Sequence, residues 1–406
     1  MWRFLRSEEF LIGLGITIHV VFLFSLSNDL LRSFFYDSSH TRRGFDFGVF
    51  YLAGKAVLEN KSIYDVTGAF GYRYLPLFAY SFGQIYAKFS FSTAYFIHIV
   101  ISELFLLANV YLTTRWTTNK IIRARAVFFW LGFSPYFLEL YMGQVSFWAS
   151  SVLFFMLGSI WKQNFFGTGI LWSIAILIKP NTLLIAPAFV FLKRWYIVTG
   201  SIFFIVIVCA PFFYFDSGSI NHFLSINLTP TQFKGALTHA GNVGLIGLLV
   251  SISAKISNLP LRELSNLAQL PLWSSILIYS VIIVFFVINV LAAKHSFSKH
   301  PELHISLWIT TFFLIYKDVW EHHYVFILPV ITFLYLFYEK KILLLIYLII
   351  ALPTPFILLD IQSGQYGPID PERSWTIFES IIHRSTKIMP ILILWLWIVR
   401  RMIMKP

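Results

Sequence analysis

Long apolar runs constrain this chain more than any other feature of its sequence. Residues 10–27, 92–113 and 272–293 are examples, and each is close to the about 20 apolar residues with which an α-helix crosses a bilayer. Charged residues make up 12% of the chain, whereas a soluble globular domain carries about 25%. The sequence therefore predicts an all-α polytopic membrane protein, with residues 1–406 forming a single integral membrane domain.

The basic balance of the chain fits the same class of protein. A net charge of +12 would suggest nucleic-acid binding in a soluble protein. In a membrane protein, however, Lys and Arg accumulate in the cytoplasmic loops, so we expect no nucleic-acid partner. The one cysteine, Cys209, lies inside an apolar run and cannot form an intrachain disulfide.

The positions of the basic residues predict the topology. Arg3 and Arg6 precede the first apolar run and place the N-terminus in the cytoplasm. If residues 75–88 lie along the membrane interface, nearly every short basic loop falls inside, which favours about twelve crossings with both termini cytoplasmic. A true crossing by 75–88 is the alternative and would invert every later loop. The expected crossings are 10–27, 92–113, 126–141, 145–161, 165–179, 182–193, 196–214, 272–293, 303–319, 323–338, 341–359 and 388–401.

On this topology, the polar sequence outside the basic cytoplasmic loops faces outward. It comprises an outer catalytic loop over 28–91, a second outer loop over 215–271 and a third over 360–387. The first loop contains two candidate helices, 48–60 and 75–88, which we expect at the interface. Residues 241–253 are apolar but too short to span, and a half-helix dipping into the outer leaflet is plausible.

Asp46 is the first candidate for catalysis. It lies in an aromatic stretch that follows the first apolar run. Desolvation can raise the pKa of such a carboxyl, or Arg42 and Arg43 can keep it ionised, and in either case it can take a proton from a substrate hydroxyl. An interfacial acid paired with an arginine is an equally good interpretation.

Candidate cationic and imidazole groups lie in other outer turns. Lys179, at the end of an apolar helix, could hold a phosphate or simply snorkel. His322 and His323 follow Glu321 in a tight turn and could bind phosphate, a sugar or a metal. Common metal-ligand spacings such as HExxH and DxD are absent, which weakens the metal interpretation but leaves it open. No Walker A motif or dinucleotide fingerprint is present either, so we expect no cofactor.

Several further polar residues have both a functional and a structural interpretation. Gln144 could bond a sugar hydroxyl or satisfy a helix end, Arg73 could reach an anionic head group or be solvated, and Tyr74 could stack on a sugar or anchor at the interface. His98 and Glu103 lie inside a predicted crossing, where ionisable groups are functional or form interhelical hydrogen bonds.

These residues fall into an ordered pattern. It consists of Asp46, Phe50-Tyr51, Ala53, Leu58, Ser62-Ile63-Tyr64-Asp65, Tyr74-x-Pro76, Gly143-Gln144-Val145, Lys179-Pro180, Lys193-Arg194-Trp195, Gly241-Asn242 and Trp320-x-His322-His323. The pattern resembles glycosyltransferase family 87 over most of the chain. After Gly241-Asn242 the family often has Gln-Ser and a following Arg; this chain has Val243-Gly244, so no role is carried onto that loop.

The resemblance implies a fold of the GT-C type with interfacial helices in the first outer loop. It also implies an inverting transferase that takes a sugar, with mannose favoured, from a polyprenyl-phosphate carrier. The acceptor would be a glycolipid or cell-envelope glycan on the outer face of the plasma (inner) membrane. By similarity Asp46 is the catalytic base. Substrate contacts are assigned to Tyr51, Arg73, Tyr74, Gln144, Lys179, Glu321, His322 and His323.

A transporter or flippase for a lipid-linked sugar or anionic lipid is the alternative function. It would explain the helices, the basic residues and lateral access from the bilayer equally well. Two features count against it: the polar residues gather at one face rather than at the midplane, and no inverted repeat is visible.

Overall fold

A computed structural model describes residues 7–28, 43–66, 71–228, 237–264, 266–296, 300–354, 372 and 375–404. Its α-helices are α1 (Glu8–Ser27), α2 (Phe47–Leu58), α3 (Pro76–Phe78, continued by a π-helical turn Ala79–Gly83 and by Gln84–Tyr86), α4 (Phe91–Trp116), α5 (Lys120–Leu131), α6 (Ser134–Met142), α7 (Ser146–Trp161), α8 (Phe165–Ile178), α9 (Ala186–Phe191), α10 (Trp195–Phe215), α11 (Ser217–Leu228), α12 (Leu245–Ile256), α13 (Leu272–His295), α14 (Pro301–Ile315), α15 (Ile327–Tyr338), α16 (Lys341–Ala351) and α17 (Ile377–Ile403).

The described residues confirm the predicted all-helical architecture, and their long apolar helices are consistent with a membrane protein. Five described helical segments are long and apolar enough to cross a bilayer: Glu8–Ser27, Phe91–Trp116, Lys120–Met142, Trp195–Phe215 and Leu272–His295. Others, such as α7 and α14 with 16 and 15 residues, are shorter than the about 20 residues that a full crossing needs. The expected number of about twelve crossings and the GT-C type of fold stay predictions.

Several helix ends differ from the predicted ones. The expected crossing 126–141 is interrupted between α5 and α6, where Pro135 lies in the first turn of α6, a position at which proline is tolerated. The expected crossing 341–359 ends as a helix at Ala351, and the last helix begins at Ile377 rather than at 388. A capping box between Thr376 and Glu379 starts that helix. The described end of the predicted loop 360–387 is therefore helical.

The helices divide into an enclosed core and a lipid-facing periphery. Every residue of α6 is buried, and α14 is buried from Glu302 to Leu314. By contrast, α1, α10 and α13 expose many large apolar side chains, such as Phe24, Phe203 and Ile283. Exposed apolar side chains on long apolar helices are those that face lipid, so these helices form the outer wall of the bundle.

The first outer loop contains both helices that were expected there. These are α2 and α3, which approach closely where Gly54 meets Gly83: a Cβ on Gly54 would lie 1.8 Å from the Gly83 carbonyl oxygen. Only glycine allows this approach. Because α2 begins directly after Asp46, the packing of this helix pair positions the acid.

Candidate active site

Asp46 lies in a tight turn that docks on the C-terminal end of α6. The Gly44 N–H donates to the Tyr141 carbonyl at 2.8 Å, and the Asp46 N–H donates to the Met142 carbonyl at 3.0 Å. Gly44 has a φ of 73°, which glycine adopts without strain. The turn leaves Asp46 only 7% exposed, so its carboxylate faces the interior beside the Gly143-Gln144 turn.

Gln144 holds the Asp46 carboxylate. Its Nε2 donates to Asp46 Oδ2 at 2.8 Å. Its Oε1 accepts from the Tyr74 hydroxyl at 2.8 Å and from Lys179 Nζ at 3.4 Å. Since two donors face Oε1, the amide group can only point its NH₂ at the carboxylate. Among the described residues, Asp46 Oδ1 accepts no further hydrogen bond and is available to a substrate.

Lys179 provides a buried cation on the other side of that amide. It begins the turn that follows α8, is 8% exposed, and donates from Nζ to Ser146 Oγ at 2.8 Å. Nζ also lies 5.5 Å from the centre of the Tyr74 ring, within cation–π range. An acid and a cation are thus joined through the two ends of one side-chain amide.

The electrostatic environment suits Asp46 to proton transfer. Burial raises the pKa of its carboxyl to about 6, although the hydrogen bond from Gln144 and the charge of Lys179 both oppose this rise. A base with such a pKa is ionised at neutral pH and still accepts a proton readily.

Two residues from predicted crossings support the turn that carries Gln144. His98 Nε2 donates to the Gln144 carbonyl at 3.0 Å, so His98 takes the structural role of an interhelical hydrogen bond. Glu139 Oε1 accepts from the Phe147 N–H at 2.8 Å at the start of α7, and Glu139 lies within electrostatic range of Lys179 and Asp46. Glu103 lies elsewhere, with its carboxylate bonded to His19 and Tyr136.

The histidine turn lies on the Lys179 side of the site. His322 and His323 are 7% and 8% exposed, and their rings contact each other with centroids 4.4 Å apart. Both lie within electrostatic range of Lys179. Burial lowers the pKa of His322 well below its usual value, so His322 is neutral and can give or accept a hydrogen bond. Imidazolium, one of the forms expected from the sequence, is disfavoured here.

Arg73 approaches the same turn from the first outer loop. It is half-buried, and its charge acts on Tyr74 and on Tyr316 and Asp318, which precede the histidines. Arg73 therefore lies within electrostatic range of Tyr74 and of the residues that precede the histidines.

Three further residues of the predicted site or its surroundings have protein partners of their own. Tyr51 donates its hydroxyl to the Phe89 carbonyl at 2.9 Å within the first outer loop. Glu321 forms an ion pair with Lys387 at 3.0 Å and accepts from Thr354. Arg43 donates to the Leu26 and Ser27 carbonyls, 3.1 Å away in each case, at the end of α1, so Asp46 is held by Gln144 rather than by this arginine. Arg42 lies outside the described residues.

Ser146 is the site residue that sequence reasoning missed. Its hydroxyl accepts from Lys179 Nζ, and its position two residues after Gln144 was the available signal. Within the part of the chain that the structure describes, no group of three or more His, Cys, Asp or Glu side chains converges to hold a metal ion.

Comparison with known proteins decides the family. The model of glycosyltransferase family 87 matches residues 72–316, more than half of the chain. This protein is a member of glycosyltransferase family 87. No curated protein and no solved structure matches.

Membership in family 87 makes the protein a glycosyltransferase, so it acts on a sugar donor and an acceptor. The matched range contains Arg73, Tyr74, Gln144 and Lys179, whereas Asp46 and the histidine turn lie outside it. In this family 87 member, Asp46 is distinguished by its burial and by its hydrogen bond from Gln144.

Proposed function

We propose that this protein is an inverting glycosyltransferase that moves a sugar, with mannose favoured, from a polyprenyl-phosphate carrier to a glycolipid or cell-envelope glycan. The observation that carries the proposal is the Asp46–Gln144–Lys179 arrangement. It presents a buried carboxylate with one free oxygen and a buried cation beside it, the two groups that sugar transfer from a phosphate needs.

The proposed reaction is a single displacement. The acceptor hydroxyl bonds to Asp46 Oδ1 and attacks the anomeric carbon, so a new C–O bond forms as the bond from that carbon to the phosphate oxygen breaks. The hydroxyl proton passes to Asp46, which acts as general base. The electron pair of the broken bond leaves with the polyprenyl phosphate.

Positive charge and hydrogen-bond donors on the opposite side would stabilise the leaving phosphate. Lys179 and Arg73 supply the charge, and His322 and His323 supply imidazole groups within electrostatic range of Lys179. Preorganised donors of this kind stabilise charge that develops in a transition state. Because protein cations supply this function, the proposed mechanism requires no divalent metal or other cofactor.

A narrow apolar crevice marks the place where the lipid part of the donor would approach the site. It lies between the turn after Lys179 and α14, with Thr182, Ile185, Trp308, Ile309 and Phe312 among its lining residues. Leu184, which also lines it, is 37% exposed. This opening towards the lipid-facing surface supports lateral entry of the donor from the bilayer.

We place the site on the outer face of the plasma (inner) membrane, with both termini in the cytoplasm. The support is the charge distribution of the sequence: nearly every short basic loop falls inside on that topology. In this arrangement, Asp46 and the histidine turn face the compartment of the envelope acceptor.

The test is transfer from radiolabelled polyprenyl-phosphate mannose by the purified protein in lipid, compared with its Asp46→Asn variant. General base catalysis contributes about 10²–10⁴-fold, so the variant should lose at least about 10²-fold. Asp65→Asn is the matched control, because Asp65 lies in the same outer loop with a 71% exposed side chain. Near-normal transfer by Asp46→Asn would exclude Asp46 as the base, and lipid flipping without any transfer would favour the transporter.

A further inference from the structure

The histidine turn is held by a segment of the second outer loop, residues 237–244. Asn242 is fully buried and pairs with Trp320 as an isolated antiparallel bridge. The Val243 N–H donates to the Val319 carbonyl at 2.8 Å. This segment therefore binds the turn through its backbone just before His322.

The Asn242 side chain adds hydrogen bonds on both sides of Asp318. Its Nδ2 donates to the Lys317 carbonyl at 2.7 Å, and its Oδ1 accepts from the Val319 N–H at 3.3 Å. A primary amide offers a donor and an acceptor in one plane. Asn242 thus fixes the backbone that presents Asp318 and leads into the histidines.

Two glycines leave room for this contact. A Cβ on Gly247 would lie 2.7 Å from Asn242 Oδ1, and a Cβ on Gly244 would lie 2.7 Å from Val319 Cβ. Neither position tolerates a side chain without displacement of the amide or of the turn. The absence of side chains at Gly244 and Gly247 therefore leaves the space in which Asn242 contacts the turn.

Arg384, from the C-terminal helix α17, holds the segment from behind. Its guanidinium is fully buried and donates to the carbonyls of Asn242 at 2.8 Å, Thr238 at 2.9 Å and His239 at 3.0 Å. Its fourth bond goes to Glu372 Oε2 at 2.7 Å. The planar guanidinium of an arginine spreads five donors over a rigid fork, whereas a lysine presents three donors from a single point.

We propose that Asn242, held by Arg384, positions the Asp318–His322 turn for the leaving phosphate of the donor, so both are positioning residues that do not touch substrate. The inference rests on the proposed function, because His322 is assigned there to the phosphate. It gives a role to the Gly241-Asn242 landmark, onto which the sequence comparison carried none.

The chain offers a matched control in Asn289. It is also a fully buried asparagine, and it also tethers α17: its Nδ2 donates to Thr311 Oγ1 at 2.7 Å and its Oδ1 accepts from Trp395 Nε1 at 2.9 Å. None of these partners belongs to the active site. Asn289→Ala therefore reproduces the loss of a buried amide and of a helix tether without a change to the histidine turn.

The experiment measures donor and acceptor KM for Asn242→Ala and Asn289→Ala. We expect the donor KM of Asn242→Ala to rise about tenfold with the acceptor KM unchanged, whereas Asn289→Ala keeps both values even if its Tm falls. A purely structural role would lower the amount of active protein and leave both KM values as they are. Arg384→Lys keeps a positive charge for Glu372 but removes the guanidinium that bonds the Asn242, Thr238 and His239 carbonyls. It should also raise the donor KM, and it replaces Asn242→Ala in the experiment if that variant does not fold.

Amide hydrogen exchange over residues 317–324 separates the two possible failures. The exchange should accelerate in Asn242→Ala and not in Asn289→Ala, because local opening reports the loss of the holding bonds. If the wild-type protein transfers no sugar, the proposed function fails while this measurement still decides whether Asn242 holds the turn. Unchanged exchange with an unchanged donor KM in Asn242→Ala would overturn the proposal, as would an equal donor KM rise in Asn289→Ala.

Discussion

At the residue scale, a single amide organises the active site. Gln144 donates to Asp46, the proposed base, through Nε2 and accepts from Lys179 and Tyr74 through Oε1. The sequence left a sugar contact and a structural role open for Gln144, and in the structure both ends of its amide bond protein partners. In the proposed mechanism, this amide orients Asp46 and leaves one carboxylate oxygen for the acceptor.

The titration of Asp46 predicts how transfer depends on pH. Burial raises the pKa of this carboxyl to about 6, so below that pH the base is protonated and cannot accept a proton. We expect kcat/KM to be level above the pKa and to fall about tenfold per pH unit below it. A pH profile of transfer by the wild-type protein in lipid measures this directly. An acid limb near pH 4, the value of an unperturbed carboxyl, would contradict the assignment.

Removal of the Gln144 amide should move that limb. The hydrogen bond from Gln144 lowers the pKa of Asp46, so Gln144→Ala should shift the acid limb of kcat/KM to higher pH and leave less active base at pH 7. The pH profiles of the variant and of Gln84→Ala, a glutamine of α3 outside the Asp46 network, provide the comparison. A shift to lower pH, or the same shift in the control, would disprove this role.

Residue types and spacing predicted part of this site and not the rest. Asp46, Tyr74, Gln144 and Lys179 are unusual in an apolar chain, and the structure brings them together. The hydrogen-bond partners of these residues were less predictable. Arg43 is close to Asp46 in sequence, but its guanidinium donates to the Leu26 and Ser27 carbonyls at the end of α1. Contacts of this kind depend on where the helices end in space, which residue type alone does not specify.

At the scale of elements, the close contact between α2 and α3 positions the catalytic loop. Gly54→Ala would place a Cβ 1.8 Å from the Gly83 carbonyl oxygen, and such overpacking costs about 1–3 kcal/mol or more. We expect a lower Tm in lipid and a lower rate of sugar transfer, because α2, which begins directly after Asp46, must shift. Gly48→Ala is the control on the same helix, since its Cβ would meet nothing nearer than 4.0 Å. Equal Tm values for the two variants would show that the contact does not constrain the loop.

Helix existence was easier to predict than helix extent. Apolar periodicity and length identified most elements, including α2 and α3 in the first outer loop. The start of α17 at Ile377 was missed although Thr376 and Glu379 form a recognisable capping box, because polar and charged residues are mixed with apolar ones over residues 377–387 and interrupt the apolar run. The buried Arg384 and Lys387 of this helix have partners from distant parts of the chain, the Asn242 carbonyl and Glu321, so their charges did not indicate a solvent-exposed loop.

At the scale of the whole molecule, the predicted orientation can be tested with single cysteines. Cys209 is the one native cysteine and is buried, so Cys209→Ala gives a cysteine-free background. Lys61→Cys, at an exposed position of the first outer loop, should react with a membrane-impermeant maleimide in intact cells. Lys162→Cys, at an exposed position after α7, should react only once the membrane is opened. The opposite pattern would invert the topology and place the active site inside.

The amide of Gln144 has a further consequence for the reaction proposed here. The planar side-chain amide of Gln144 separates Asp46 from Lys179. The distance between the proposed base and the cation is therefore set by the protein and does not adjust to the substrate. In this mechanism, the catalytic centre recognises only the reacting hydroxyl and the anomeric carbon. It does not contact the rest of the acceptor. The surrounding loops would then select the acceptor. Substitutions in these loops would change acceptor specificity without a change to Asp46, Gln144 or Lys179.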